Sequence, residues 1–351
     1  MGDATTNRYD RQMRFAPLGE AGQRRLAAGR ALVCGCGALG SVIANTLVRA
    51  GVGFTRIVDR DILELNNLQR QVLYDEQDVA DGLPKAIAAA NKLRRINSAV
   101  TVEPIVADVT HRNVTELAGD VDVIVDGTDN FATRFLLNDF AVKENKPWVY
   151  GGCIGAEGQT MTILPGETAC LACLMPDAPP PGATPTCDTA GILGPVVNIV
   201  ASLEANEALK ILSGHRQAVQ HGLTVLDTWG NHIRQLEMTK LREQGDCRVC
   251  KHREFSWLGG QRGEASAVLC GRNAVQISPP RSAAAGSSSG LSFDDLAARL
   301  RGVGHIERNA FLLRFAVDNY VLTVFPDGRT IVSGTDDVAT ARTVHARYIG
   351  T

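Results

Sequence analysis

The chain has 351 residues, 44% of them apolar, with a formal net charge of −2. That length suggests two domains, or one large domain with an appendage, and enough apolar surface for a sizeable core. The charge balance gives no general reason to expect binding to nucleic acid or a membrane surface, no apolar run approaches the ~20 residues of a membrane helix, and residues 1–10 are polar, unlike a signal peptide, so the expected location is cytoplasmic.

In chain order, Arg8, Arg11 and Arg14 fall on a predicted helix, and an amphipathic helix follows from Gly19 to about Ala28. An apolar strand, 31–34, runs into Gly35-Cys36-Gly37-Ala38-Leu39-Gly40 and a helix over 41–50. A second strand, 55–58, ends in Asp59-Arg60-Asp61, and the polar run Asn66-Asn67-Leu68-Gln69-Arg70-Gln71 comes next. Helices are predicted over 84–96, 111–118 and 131–144, with strands at 101–106, 121–125, 147–150 and 159–164. Residues 176–189 are rich in proline and read as a mobile loop that can be neither helix nor central strand. A long helix over 192–212 and a strand near 222–228 complete the first region. The alternation predicts an α/β, Rossmann-like, doubly wound and mostly parallel sheet with helices on both faces. The expected domains are 1–252 and 253–351. The tail reads as a small α+β domain, with a strand over 267–277, a helix over 293–301, two strands around Asn319, a strand at 330–333 and a final helix. Its Ser/Ala/Gly-rich stretch 281–290 is expected to be a flexible loop.

The glycine segment has G-x-G-x-x-G spacing between a strand and a helix. Gly35 permits the tight turn, Gly37 lets the backbone approach phosphate, and Gly40 lets the helix pack on the strand. The helix N-terminus offers free N–H groups to an anion. Asp59, about 20 residues on, stands where an acid binds ribose hydroxyls. These features alone suit a NAD-dependent dehydrogenase equally well. Arg70, Lys85 and Asp129 change the balance, because a triphosphate needs cationic side chains and an acid for Mg²⁺, whereas a nicotinamide needs an apolar pocket. The competing reading makes Arg70 and Lys85 ordinary surface charges.

Nine cysteines occur, and four form two C-x-x-C pairs, Cys170/Cys173 and Cys247/Cys250. Such pairs supply adjacent corners of a tetrahedral zinc site, and with all four corners filled by protein the metal would be structural. Redox cysteines are the alternative. Cys34, Cys36 and Cys153 read as small apolar fillers.

Together these motifs, with Arg8-Tyr9-Asp10-Arg11-Gln12, Pro84-Lys85, Asp126-Gly127-Thr128-Asp129-Asn130, Gly151-Gly152 and Ala190-Gly191-Ile192-Leu193-Gly194-Pro195, make the chain resemble the ThiF/MoeB/HesA adenylyltransferases, relatives of ubiquitin-activating enzymes. The resemblance covers about residues 8–252; the tail is not covered, and its length does not match the rhodanese domain that some members carry there. It implies ATP-dependent adenylylation of the C-terminal Gly-Gly carboxylate of a ubiquitin-like sulfur-carrier protein, with release of pyrophosphate, for thiamine, molybdopterin or a related pathway. By resemblance, Asp59 holds the ribose, and Asn67, Arg70 and Lys85 contact the phosphates. Asp129 holds Mg²⁺, and Asp61 and Asn130 belong to the same nucleotide site. Arg11 reaches the phosphates from the other subunit of a homodimer, and Zn²⁺ sits on the four cysteines. Cys187 either attacks the adenylate or takes part in sulfur transfer, or it is inert. A Cys187 thioester would instead mark a conjugating enzyme. A sulfurtransferase or cysteine desulfurase is a possible further partner.

Overall fold

The computed structural model describes residues 4–179, 187–262, 266–269, 273–277 and 291–350. In chain order the elements are α1 (Ala4–Met13), α2 (Gly19–Ala28), β1 (Arg30–Cys34), α3 (Ala38–Ala50), β2 (Phe54–Val58), α4 (Glu76–Ala80), α5 (Lys85–Ile96), β3 (Thr101–Ile105), α6 (Val114–Ala118), β4 (Val123–Asp126) and α7 (Phe131–Lys143). Then follow β5 (Trp148–Ile154), β6 (Glu157–Ile163), α8 (Leu171–Leu174), α9 (Cys187–Ala190), α10 (Gly194–Leu212), β7 (Leu223–Asp227), β8 (His232–Leu236) and α11 (Thr239–Gln244). The last elements are β9 (Ser266–Leu269), β10 (Ala274–Ile277), α12 (Phe293–Leu300), β11 (His305–Arg308), β12 (Leu313–Val317), β13 (Tyr320–Val324), β14 (Thr330–Ser333) and α13 (Val338–Tyr348).

One sheet has the order β3-β2-β1-β4-β5-β6-β7-β8. Its first five strands run parallel, and β6, β7 and β8 return antiparallel. Alternate side chains of each buried strand feed two cores, as a period of two requires. Ala31 and Val33 join Ile57, Val123, Val125 and Val149 under α3, α5 and α10. Leu32 and Cys34 join Val58, Ile124, Trp148 and Tyr150 under α6, α7 and the cysteine pairs. The expected doubly wound arrangement is therefore present, with the chain reversing strand order at β1/β4, which puts the candidate site at the carboxyl ends of those strands.

The first unit comprises 1–183 and 192–262; the second comprises 184–191 and 263–351. The first unit thus runs to 262, past the expected boundary at 252. Residues 253–258 belong to the first unit because they cover α7: Trp257 stacks on Phe135 with centroids 5.7 Å apart. The Asp139 carboxylate accepts from the amides of Trp257 and Leu258 at 2.9 and 3.3 Å, and Arg253 donates to the Val142 carbonyl at 3.0 Å.

The second unit has its own six-stranded antiparallel sheet, β11-β12-β13-β14-β10-β9, and its own core of Phe315, Leu313, Val324 and Val332 with α12 and α13. The single strand expected over 267–277 is instead the antiparallel pair β9 and β10, with Asn273 just before β10 at φ 46°. The expected flexible loop 281–290, and residues 180–186 of the Pro-rich stretch, lie outside the described residues. Cys187 is not on a loop: it opens the one-turn helix α9. The prolines end at Pro185, so nothing in 187–190 blocks a helical turn. Among the described residues, no helix is long and apolar enough to cross a membrane.

Candidate nucleotide site

The site begins where β1 ends. Gly35 turns at φ +84°, and a Cβ there would meet the Gly127 carbonyl at 2.7 Å. A Cβ on Gly40 would lie 1.9 Å from the Gly35 oxygen, and one on Gly127 would lie 2.4 Å from it. Three glycines therefore let the β1 turn, α3 and the β4 loop touch backbone to backbone. Gly127 is part of this packing, though its sequence context gave it no role. Gly37 caps α3 without a side-chain partner, and the nearest atom to a Cβ there is the Gln71 amide nitrogen at 3.7 Å. The α3 N-terminus thus faces open space with uncapped N–H groups, the arrangement that attracts an anion.

Asp59 follows β2 and is 8% exposed. One carboxylate oxygen accepts from the Cys36 amide at 2.6 Å, and the other accepts from the Asp61 amide at 2.7 Å. It braces the glycine turn from the second strand. Burial raises its pKa, and the Lys85 charge opposes that rise. Tyr74 braces the same turn from another side, its hydroxyl donating to the Cys36 carbonyl at 2.6 Å and lying 3.2 Å from the Lys85 carbonyl.

Lys85 is the first residue of α5 and only 2% exposed. Its ammonium meets Asp61 at 3.0 Å. The reading of Lys85 as a solvated surface charge is therefore wrong. Arg60 adds a second cation, held to Asp108 at 2.8 Å and within the field of Asp129. Nothing in its sequence context distinguished Arg60 from a surface charge.

Asn67 is buried at the end of a short 3₁₀ turn, where its side-chain oxygen accepts from the Glu64 amide at 3.2 Å. Arg70 is half-buried and donates to the Asn66 carbonyl at 2.9 Å. Gln71 is 3% exposed, and its amide oxygen has no partner. Asp129 is exposed in the loop after β4, and Asn130 caps α7 by accepting from the Thr133 amide at 2.9 Å. The sheet thus gathers Gly35, Gly37, Gly40, Asp59, Asp61, Lys85 and Asp129 at the carboxyl ends of β1, β2 and β4.

Arg11 is not among them. Its helix α1 is anchored through Tyr9, whose hydroxyl accepts from Asn97 at 2.8 Å, and through Gln12, which donates to the Ala50 carbonyl at 2.9 Å. Asn97 and Ala50 lie at the far ends of α5 and α3, so Arg11 sits a helix length, ~20 Å, from the glycine turn. Cys187 lies in the second unit.

The sulfurs of Cys170, Cys173, Cys247 and Cys250 lie within 4.8 Å of one another. The spacings 170–173, 170–247 and 173–250 are 3.8, 3.7 and 3.4 Å. Zn–S bonds of ~2.3 Å at tetrahedral angles put sulfurs ~3.8 Å apart, so the four cysteines fit a metal of that kind. By contrast, Cys36 is fully buried and its thiol is pushed up to about 12 by burial, and Cys34 is raised in the same way, which makes both inert.

Fold and turn together define an open α/β domain that binds a nucleotide at the switch point of its sheet. The chain belongs to the ThiF family, which matches residues 9–249. It is 43% identical over 346 residues to the sulfur carrier protein ThiS adenylyltransferase of Bacillus subtilis, covering 98% of this chain and 100% of that one. It is 41% identical to the SAMP-activating enzyme E1 of Haloferax volcanii, over 71% of this chain and 90% of that one. Among solved structures, E. coli MccB with MccA-N7isoASN shares the fold at a TM-score of 0.60 and 23% identity, over 70% of this chain and 74% of that one.

Proposed function

We propose that this protein is an adenylyltransferase that activates the C-terminal carboxylate of a sulfur-carrier protein with ATP. The observation that carries this reading is the full-length relationship to the Bacillus ThiS adenylyltransferase, which includes the second unit as well as the nucleotide site. Family membership sets the dehydrogenase reading aside.

The reaction joins the carrier's carboxylate oxygen to the α-phosphorus of ATP and releases pyrophosphate. A carboxylate is already ionised at neutral pH, so no general base is required, and the protein's work is positioning and charge neutralisation. We assign phosphate contacts to the α3 N-terminus, Asn67, Arg70 and Lys85, and the ribose to Asp59. Asp61 holds the Lys85 ammonium in place. Asp129, with Asn130 shaping its loop, is assigned to Mg²⁺, which neutralises phosphate charge. Arg11 would serve the site of a partner subunit, because its own site lies at the other end of the sheet. Zn²⁺ on Cys170, Cys173, Cys247 and Cys250 would be structural. Cys187 is assigned to the step after adenylation, transfer of sulfur or of the activated carrier. Such a step would involve a sulfurtransferase or cysteine desulfurase, or a conjugation partner if a thioester forms. The cytoplasm is the expected setting.

ATP–pyrophosphate exchange with a purified Gly-Gly carrier tests the reading. Wild type should exchange only when the carrier is present, and Asp129→Ala should lose at least about a hundredfold. Cys187→Ser should exchange normally but fail to give the final product. Absence of exchange in wild type overturns the proposal, and exchange in Asp129→Ala within tenfold of wild type removes Asp129 from it.

A further inference from the structure

Asp129 stands on a loop that is held from beneath by buried charges. Arg134, on α7, is 8% exposed and Asp126, at the end of β4, is 0% exposed. One oxygen of Asp126 accepts from both the amide and the hydroxyl of Thr128, at 2.8 and 2.7 Å. The Arg134 guanidinium donates to the Thr128 carbonyl at 2.6 Å and to the Gly151 carbonyl at 3.0 Å. Its Nε faces the other Asp126 oxygen across 3.6 Å. Thr128 is therefore fixed at its N–H by Asp126 and at its C=O by Arg134, and Asp129 is the next residue. The same guanidinium ties this loop to β5 through Gly151, and it lies 5.3 Å from the Tyr150 ring centroid.

Burying a guanidinium and a carboxylate is costly, and an apolar pair of similar volume often stabilises a fold as well or better. What an apolar pair cannot supply is a planar amino group, held rigid in the guanidinium, whose two N–H bonds grip two carbonyls at a fixed angle. We propose that Arg134 is a positioning residue for Asp129: with Asp126 it locks the 126–130 loop so that the Asp129 carboxylate presents one geometry to the divalent cation of the nucleotide. This inference rests on the reading of Asp129 given above.

Two variants test it. Arg134→Lys keeps the charge and loses the rigid planar donor. Thr128→Val is milder, removing the hydroxyl bond to Asp126 while leaving the guanidinium in place. Each is compared with wild type and Asp129→Ala by its thermal midpoint and by Mn²⁺ affinity in the presence of a non-hydrolysable ATP analogue, read by electron paramagnetic resonance. The kcat and the KM for ATP in pyrophosphate exchange are also measured. A residue that orients a metal ligand is worth about 10–100-fold. Arg134→Lys should therefore weaken Mn²⁺ by about tenfold or more and lower kcat similarly, with KM for ATP within about threefold of wild type. Thr128→Val should shift Mn²⁺ affinity in the same direction by less. A folded Arg134→Lys protein with wild-type Mn²⁺ affinity overturns the proposal. If Arg134→Lys does not fold, unchanged Mn²⁺ affinity in Thr128→Val overturns it. Wild-type Mn²⁺ affinity in Asp129→Ala would instead sink the reading of Asp129, whereas a shift there without one in Arg134→Lys sinks the positioning role alone.

Discussion

Glu204 sits in the middle of α10 with no exposed surface, and neither of its carboxyl oxygens has a hydrogen-bond partner. Gly151 makes room for it, since a Cβ on Gly151 would lie 2.3 Å from the carboxyl carbon. Burial, and then the Asp126 charge, push its pKa well above the usual carboxylate range, while Arg134 pulls it back. The unfolded chain releases this proton near pH ~4.3. The stability that the protonated form lends is therefore complete below that pH and drains away as pH rises through the folded value. Glu204→Gln should abolish that part of the slope: urea midpoints at about pH 5 and pH 8 should differ less in the variant than in wild type. Identical slopes would contradict this. The residue scale also shows what a sequence can reveal. Gly35 and Gly40 were legible because each does a backbone job that few residue types can do, whereas Asp59 was expected for the ribose and its grip on the Cys36 and Asp61 amides was not foreseen. Lys85 was legible as a charge but not as a buried one, and Gly127, Tyr74, Arg60 and Arg134 were illegible because their roles arise only when three strand ends meet.

At the scale of elements, the buried strands announced themselves by apolar runs, and the edge strand did not. All five residues of β8 are exposed, so no alternation marks it, and β11, His-Ile-Glu-Arg, is missed for the same reason. α8 and the turn at 247–250 are short elements with little reason to persist alone. The cysteines they carry belong to the core beneath α7. We expect one Zn²⁺ per chain by elemental analysis, and chelation should lower the thermal midpoint, because the free energy of binding is here part of the free energy of folding. Metal-free protein with an unchanged midpoint on chelation would show that packing alone holds these elements. Packing without metal is tested next to it: Trp257→Ala should cost ~2–3 kcal/mol, below the range of a fully buried aromatic, since the half-buried ring covers the α7 face through Phe135. A smaller loss would mean that 253–262 is only loosely applied to the core.

For the molecule as a whole, the expected division into 1–252 and 253–351 stands beside two compact units, the first of which runs to 262. What ties 257 and 258 to the first unit is tertiary: Asp139, on α7, supplies the acceptor for their amides, and no local pattern encodes that. Composition left Arg11 as one of several basic residues, and the resemblance alone gave it a role in the other subunit's site; in its own protomer its helix is anchored at the far ends of α3 and α5, away from the glycine turn. Mixing Arg11→Ala with Arg70→Ala protein should therefore restore exchange, because a mixed dimer contains one intact site. No recovery after confirmed subunit exchange would withdraw Arg11 from the proposal. The cysteine cluster has a different consequence. It joins Cys173 to Cys247 across 73 intervening residues, so that a bound metal makes this span a closed ring. A protease that nicks the chain once inside the ring severs no connection between the two halves. The fragments should travel together under native conditions and part when the metal is stripped, a topological tether that survives the loss of a peptide bond.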